Sequence, residues 1–250
     1  MTVVEAPVTE DALLGGRLTL RQPAAGYRIG IDPVALAAAV PAGRGDKVFD
    51  IGSGVGAAAL CLAARVPECR VYGVEIQRDL VRLAAENIAL NGFDGRVDVM
   101  VGDLTRPPPR LAAGSFHHVM SNPPYRAAGD GKPPADAGKA ISTIEAAGGL
   151  AEWVDFCVRM VRHKGSATFI HRADRLDELL AHLRGKAGGA IVYPLWPTAD
   201  RTRPAKRVIV QAIKGSAGPL KLLPGLILHD GEGYSRDAEA VLRQGAGLVL

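Results

Sequence analysis

Gly52, Gly54 and Gly56 follow directly on the apolar run Val48-Phe49-Asp50-Ile51, and an Ala- and Leu-rich stretch, 57–65, follows them. This order restricts the fold severely. A buried strand must end, turn through backbone conformations open mainly to glycine, and start a helix almost at once. Such a turn gathers backbone N–H groups at a helix N-terminus, a seat for a polar ligand. Gly52, Gly54 and Ala57 also satisfy the pattern G-x-G-x-x-G/A, so the loop alone admits NAD. From Lys47 onward strand and helix patterns alternate, which predicts a parallel α/β sheet. Strands are expected at 70–74, 96–101, 116–121 and 165–171, and helices at 78–90, 150–161 and 174–183, the first of these stopped by Asn91-Gly92. Ahead of the core, 17–22 and 27–31 flank Pro23-Ala24-Ala25-Gly26 as a hairpin, and residues 1–15 show little pattern. Asp32 then stands as an N-cap, with Pro33 opening a helix toward Val40.

Acidic residues close the next two strands. Glu75, 23 residues after Gly52, sits where a carboxylate can accept from both hydroxyls of a ribose. Asp103, after the 96–101 strand, is placed to accept from an adenine amino group. Asn122-Pro123-Pro124-Tyr125 ends the 116–121 strand, at the sheet edge where open α/β folds bind ligands. The two prolines fix φ and remove two donors, which leaves carbonyls to accept from something else. Asn122 adds a neutral side-chain acceptor and Tyr125 a flat ring. Together they form a clamp for a planar, amino-bearing group. Taken singly, N-P-P-Y is also an ordinary proline-rich turn, and either acid a solvated strand end. Their order at the ends of successive strands is what carries the signal.

This spaced series resembles the class I S-adenosylmethionine-dependent methyltransferases that act on amino groups, and among them the bacterial tRNA1(Val) adenine-N6 methyltransferase group. The resemblance runs along the whole chain, with Tyr27-Arg28-Ile29-Gly30-Ile31-Asp32 similar to the family's N-terminal segment over the cofactor. It implies a Rossmann-like, seven-stranded, mostly parallel sheet with helices on both faces and an N-terminal hairpin/helix extension. Residues 1–45 would form that extension and 46–250 the methyltransferase domain, with strands 190–195 and 207–213 as an antiparallel hairpin on the sheet edge. S-adenosylmethionine would be the cofactor, its methionine part lined by Asp50, Gly52 and Gly54, its ribose held by Glu75 and its adenine by Asp103, with Asp32 a further contact. Asn122, Pro123, Pro124 and Tyr125 would hold a flipped adenine of an RNA, foremost a tRNA.

The net charge of +4 is uneven: residues 126–215 hold 15 Lys/Arg against 9 Asp/Glu, whereas 1–125 hold 12 against 13. The excess, including Arg201-Thr202-Arg203-Pro204-Ala205-Lys206-Arg207, suits a phosphate backbone, although a solvated basic face looks the same. The long segment 126–149 has no sustained period and follows the clamp, so it is placed to close over a bound base. No apolar run is long enough to span a membrane. Three cysteines without C-x-x-C spacing point to reduced thiols in a cytoplasmic protein, and no metal is expected. His229-Asp230-Gly231-Glu232 suits a tight turn better than a metal site. Two other substrates fit the same motif, a release-factor glutamine (N5) and a guanine (N2) of rRNA. The first group carries an N-terminal helical domain where only some 45 residues precede the core here, and the second more often has Phe at the Tyr125 position. Duplex-DNA adenine methyltransferases add a target-recognition region that is not evident. An NAD-dependent oxidoreductase would leave N-P-P-Y unexplained, and a non-catalytic RNA-binding module would not need the cofactor acids.

Overall fold

Val48 and Phe49 are neighbours on one strand, and both are wholly buried, on opposite sides of a sheet. The computed structural model describes residues 7–25, 28–106, 111–125, 149–200 and 202–250. Strands β3 (Lys47–Ile51), β4 (Arg70–Glu75), β5 (Val97–Val101), β6 (Phe116–Ser121) and β7 (Val161–Arg172) run parallel in the order β5-β4-β3-β6-β7. Strand β9 (Arg207–Lys214) is antiparallel to β7 and to β8 (Ala187–Thr198), and lies between them. Helices α1 (Asp32–Ala39), α2 (Ala57–Arg65) and α3 (Arg78–Leu90) share a core with Val48, Met120, Ile170 and Ile209. Helices α4 (Gly149–Met160) and α5 (Leu176–Leu183) cover Phe49, Val119, Phe169 and Val210 on the other face. Burial on both faces is why these strands are nearly continuous apolar runs.

The seven expected strands are therefore present, and the sheet is larger than expected, with ten strands. The tail adds β10 (Lys221–Leu222), β11 (Leu226–Asp230) and β12 (Gly233–Tyr234), followed by helix α6 (Arg236–Leu242). β10 and β11 both pair in parallel with β8, so the β8–β9 hairpin is not the sheet edge. His229 pairs with Tyr234 across the β11–β12 turn.

The N-terminal hairpin also differs from expectation. It joins β1 (Val8–Leu13) to β2 (Leu18–Pro23), so the stretch read as patternless contains a strand, and residues 28–31 form none. Tyr27, the expected start of that second strand, lies outside the described residues. β2 alternates buried and half-buried positions, sending Leu18 and Leu20 into the α1–α3 core. Its free edge is satisfied by side chains rather than by another strand. Asn91 accepts from the Thr19 N–H (2.9 Å) and donates to the Thr19 carbonyl (2.7 Å). One helical turn earlier, Asn87 accepts from the Arg21 N–H (2.7 Å) and donates to the carbonyls of Arg21 (2.9 Å) and Val55 (3.0 Å). Positions i and i+4 share a helix face, so two amides imitate a strand edge. Asn87 thus ties the hairpin to the glycine turn.

Helix α1 is short, entirely buried and pinned at its C-terminus, where every helix leaves carbonyls unpaired. Arg65 donates to the carbonyls of Ala37 (3.0 Å) and Val40 (2.5 Å), the Leu248 N–H to that of Ala38 (2.8 Å), and Gln211 to that of Ala39 (2.9 Å). At its other end Asp32 lies inside the first turn and makes no cap, contrary to expectation.

Replacing Asn87 with Ala strands one N–H and two carbonyls. Denaturant unfolding should show a loss of about 2–4 kcal/mol, with Asn91→Ala costing less because its site is more exposed. Hydrogen exchange should show the β1–β2 amides losing protection first; uniform loss across the sheet would mean that the clip is not local.

Candidate active site

β3 delivers the chain to Gly52, Gly54 and Gly56, whose φ values are 74°, 55° and 85°. A Cβ at Gly52 would also lie 2.8 Å from the Trp153 ring, so that position excludes side chains twice over. The N–H groups of Gly52 and Ser53 both donate to the Val74 carbonyl (2.9 and 3.1 Å), which bends the turn across the end of β4. The Gly54 N–H donates to one oxygen of Glu75 (3.0 Å), and the Gln77 N–H to the other (2.9 Å). Glu75 therefore moors the turn as well as facing the cavity. Asp103 follows β5 and accepts from the N–H and the hydroxyl of Thr105, both at 2.8 Å. Asp50, Gly52, Gly54, Glu75, Asp103 and Asn122 through Tyr125 all line one cavity of about 950 Å³ at the C-terminal edge of the sheet. The hairpin side adds Gln22, Pro23 and Ile29.

Asp50 and Glu75 carry the unusual electrostatics. Both are buried, and among the described residues neither has a cationic side chain paired with it. Burial first, and then the charge of Glu75, push the Asp50 carboxyl up to about 7. Burial also raises Glu75, against the Gln77 and Gly54 N–H groups that favour its charged form. One Asp50 oxygen, Oδ2, is buried without a hydrogen-bond partner among the described residues. Such a site is complementary to a cationic ligand.

β6 sets the second half of the site. The Ser121 hydroxyl donates to the Ile51 carbonyl (2.7 Å) and accepts from the Trp153 indole (2.7 Å), locking the ends of β3 and β6 and helix α4 together. Asn122 then turns into the cavity beside the buried Pro123 and Pro124. The Tyr125 hydroxyl lies 2.6 Å from Asp32 Oδ2 and 2.6 Å from Asn122 Oδ1. The Arg207 guanidinium sits over the Tyr125 ring, 4.5 Å from its centre, and its Nε donates to Asp32 Oδ2 (2.8 Å). Asp32 thus meets the clamp, and it is not among the residues lining the cavity. The His171 ring is fully buried 5.6 Å from that of Tyr125. Burial, helped by Arg175, Arg207 and Arg172, pushes its pKa down to about 4, so it is neutral at pH 7.

Trp153, Ser121 and His171 are site residues that the linear pattern does not mark. Arg207, read as part of a basic surface, is turned inward, whereas Arg203 and Lys206 are exposed. Arg201 and the segment 126–148 lie outside the described residues. His117 and His118 occupy the other end of β6: His117 accepts from the Lys47 N–H (3.0 Å), and His118 bonds Ser166 (2.8 Å) and Asp46 (3.3 Å).

The family model of the methyltransferase small domain matches residues 30–144, the span that holds the glycine turn, both strand-end acids and N-P-P-Y. The chain is an S-adenosylmethionine-dependent methyltransferase. Its fold matches that of a predicted O-methyltransferase from Agrobacterium tumefaciens (TM-score 0.73, 24% identity, 87% of this chain and 98% of that one). The chain is 29% identical over 212 residues to a tRNA1(Val) (adenine(37)-N6)-methyltransferase of Aeromonas hydrophila, covering 84% of this chain and 86% of that protein. A Vibrio campbellii protein of the same description is 22% identical over 88% of each chain. Similarity to a release factor glutamine methyltransferase of Deinococcus radiodurans is higher, at 40%, but spans 81 residues, 26% of that protein. S-adenosylmethionine is the methyltransferase's cofactor. Its sulfonium and ammonium charges suit the unpaired acidity of Asp50 and Glu75, which gives the orphaned Asp50 oxygen a use.

A cation bound beside Asp50 favours the ionised carboxylate and expels a proton where the free site holds one. Cofactor affinity should therefore fall as pH drops below about 7, by up to about tenfold per unit, and Asp50→Asn should bind weakly with little pH dependence. The sign for stability is opposite. The folded pKa lies above the unfolded value, so Asp50's contribution is full at pH below about 4 and lost as pH rises through 7. Ligand-free Asp50→Asn should accordingly melt higher than wild type at pH 8, with the gap closing toward pH 4. Calorimetry and thermal melts check both directions.

Proposed function

We propose that this methyltransferase modifies the exocyclic N6 of an adenine in structured RNA, foremost a tRNA. The observation carrying this reading is that Asn122-Pro123-Pro124-Tyr125 and the glycine turn line one cavity from adjacent strand ends. The names of the relatives matched over most of their length point to the same substrate.

The lone pair of an adenine amino group is delocalised into the ring and is a poor nucleophile. In this reading the Asn122 amide oxygen and the Pro123 carbonyl accept its two N–H groups, which favours a pyramidal nitrogen with its lone pair aimed across the cavity. Tyr125 supplies the aromatic wall that fixes the ring plane. The bound cofactor supplies a methyl group on a sulfonium. Positioning and preorganised polar groups do the rest. Once methylated, the nitrogen is strongly acidic and releases its proton to water, so no general base is required. Unstacking the target costs a few kcal/mol, least in a loop, which favours an RNA hairpin over duplex DNA.

Asp50, Gly52 and Gly54 are assigned to the methionine part of the cofactor, Glu75 to its ribose and Asp103 to its adenine. Residues 1–45 act as a cover over the cofactor and 46–250 as the catalytic domain, in a cytoplasmic enzyme. Among the described residues no helix is long and apolar enough to cross a membrane.

Incubation with labelled S-adenosylmethionine and separate pools of tRNA, rRNA, DNA and release factor should label tRNA, and nucleoside analysis should return N6-methyladenosine. Label in release factor alone would replace this reading with glutamine methylation. Asn122→Ala should lower turnover by on the order of 100-fold with cofactor affinity nearly unchanged. Loss of cofactor binding instead would move Asn122 to the other half of the site.

The exposed Arg203 and Lys206 are assigned to phosphate contacts. Replacing both with Ala should flatten the salt dependence of tRNA binding by up to about 0.9 log unit for each phosphate no longer neutralised, while Arg207 stays in place to hold the clamp. An unchanged slope would remove this stretch from the footprint.

A further inference from the structure

We propose that Asp32 is a positioning residue for methyl transfer: it holds the Tyr125 hydroxyl as its donor and so decides which side of the Asn122 amide faces the target amine. The inference rests on the reading of Asn122 as an acceptor for that amine. It assigns Asp32 to the target half of the site rather than to the cofactor.

The Tyr125 hydroxyl has one proton and two oxygens at the same distance, Asp32 Oδ2 and Asn122 Oδ1, each 2.6 Å away. A carboxylate is the stronger acceptor of the two. It therefore takes the proton, and the phenol oxygen turns lone pairs toward Asn122. Two oxygens facing each other at that distance with no proton between them repel. Rotating the amide by half a turn removes the conflict at little steric cost, because its N and O are nearly the same size. The amide NH2 then donates to the phenol oxygen, and the amide oxygen points away from it, toward the cavity that Asn122 lines.

Without the carboxylate the order reverses. The phenol donates to the Asn122 oxygen, occupies the acceptor that the target needs, and leaves an NH2 facing another NH2. Arg207 completes the device: its Nε bond to Asp32 offsets the buried charge, and its plane over the ring restrains Tyr125. Asp32 is fixed in turn by α1, whose carbonyls at Ala37, Ala38 and Ala39 are paired.

The test is a double-mutant cycle between Asp32→Asn and Tyr125→Phe, read as kcat and KM for total tRNA together with the S-adenosylmethionine dissociation constant. Asp32→Asn should lower kcat by about tenfold or more while cofactor affinity and the tRNA KM change by less than about threefold. In the Tyr125→Phe background, which lacks the phenol proton, Asp32→Asn should have less than about a threefold further effect. Because Asp32→Asn leaves Arg207 without its carboxylate, Asp32→Asn/Arg207→Gln is made alongside, and it should show the same loss of kcat with cofactor binding intact. A tenfold or greater loss of cofactor affinity in either variant would make Asp32 a cofactor residue and overturn the proposal. Multiplicative losses in the cycle, or wild-type turnover in Asp32→Asn/Arg207→Gln, would also overturn it. If wild-type enzyme labels release factor instead of tRNA, the substrate reading fails separately. The same cycle run on that substrate still decides whether Asp32 acts through Tyr125.

Discussion

Negative charge gathered at the end of the parallel sheet, with no cationic side chain paired to it among the described residues, governs how the site is built. Asp50 and Glu75 leave adjacent strands and are both buried, and a carboxylate out of water is tolerated only when donors surround it. Backbone N–H groups supply those donors. Glu75 takes them from Gly54 and Gln77, and so the turn is pulled over the end of β4. Asp50 is less well provided for, with one oxygen left over. The deficit is chemical information. A site finished in this way favours a ligand bearing positive charge and gives the folded chain a reason to wait for it.

Around Tyr125, which the proposed reading puts on the target side, the arginines nearest the ring are each paired with an acid. Arg207 meets Asp32, Arg172 meets Asp174 and Arg175 meets Glu178, all within a few residues of the strand ends around Tyr125. The neutral His171 fills the space behind the ring without adding a charge. Matched charges hold an aromatic ring in one orientation without drawing in a free cation. In the proposed reading, the two halves of the cavity thus present different electrostatics to cofactor and target, although they share a wall.

The central elements are legible in the sequence because their signals are local. α2, α3 and β6 fall where the apolar runs and the Asn-Gly stop place them, since two-faced burial and helix termination depend on neighbouring residues. The strand-end acids and N-P-P-Y were readable for the same reason. β1 was not, because Val8–Leu13 pairs along one edge and buries little, so its residues carry no apolar alternation. The two-residue strands β10 and β12 are too short to have a period at all. Asp32 looked like a helix cap because Pro33 follows it. Its actual partners are 93 and 175 residues away, and no window along the chain could have shown them. The same holds for Trp153 against Gly52: the glycine was evident, the ring that forbids any other residue was not.

The register Ile51 opposite Ser121 has a consequence for how such a catalyst can change. Gly52 and Asn122 emerge side by side from neighbouring strands, whose backbones are about 4.8 Å apart in any sheet. If Gly52 marks the methyl-donor site and Asn122 the acceptor site, as proposed, the gap between them is set by backbone hydrogen bonding and not by the side chains that choose the substrate. Residues beyond Tyr125 can drift or be exchanged, and the distance over which a methyl group must travel stays the same. A chain of this design can acquire new targets while keeping its reaction coordinate.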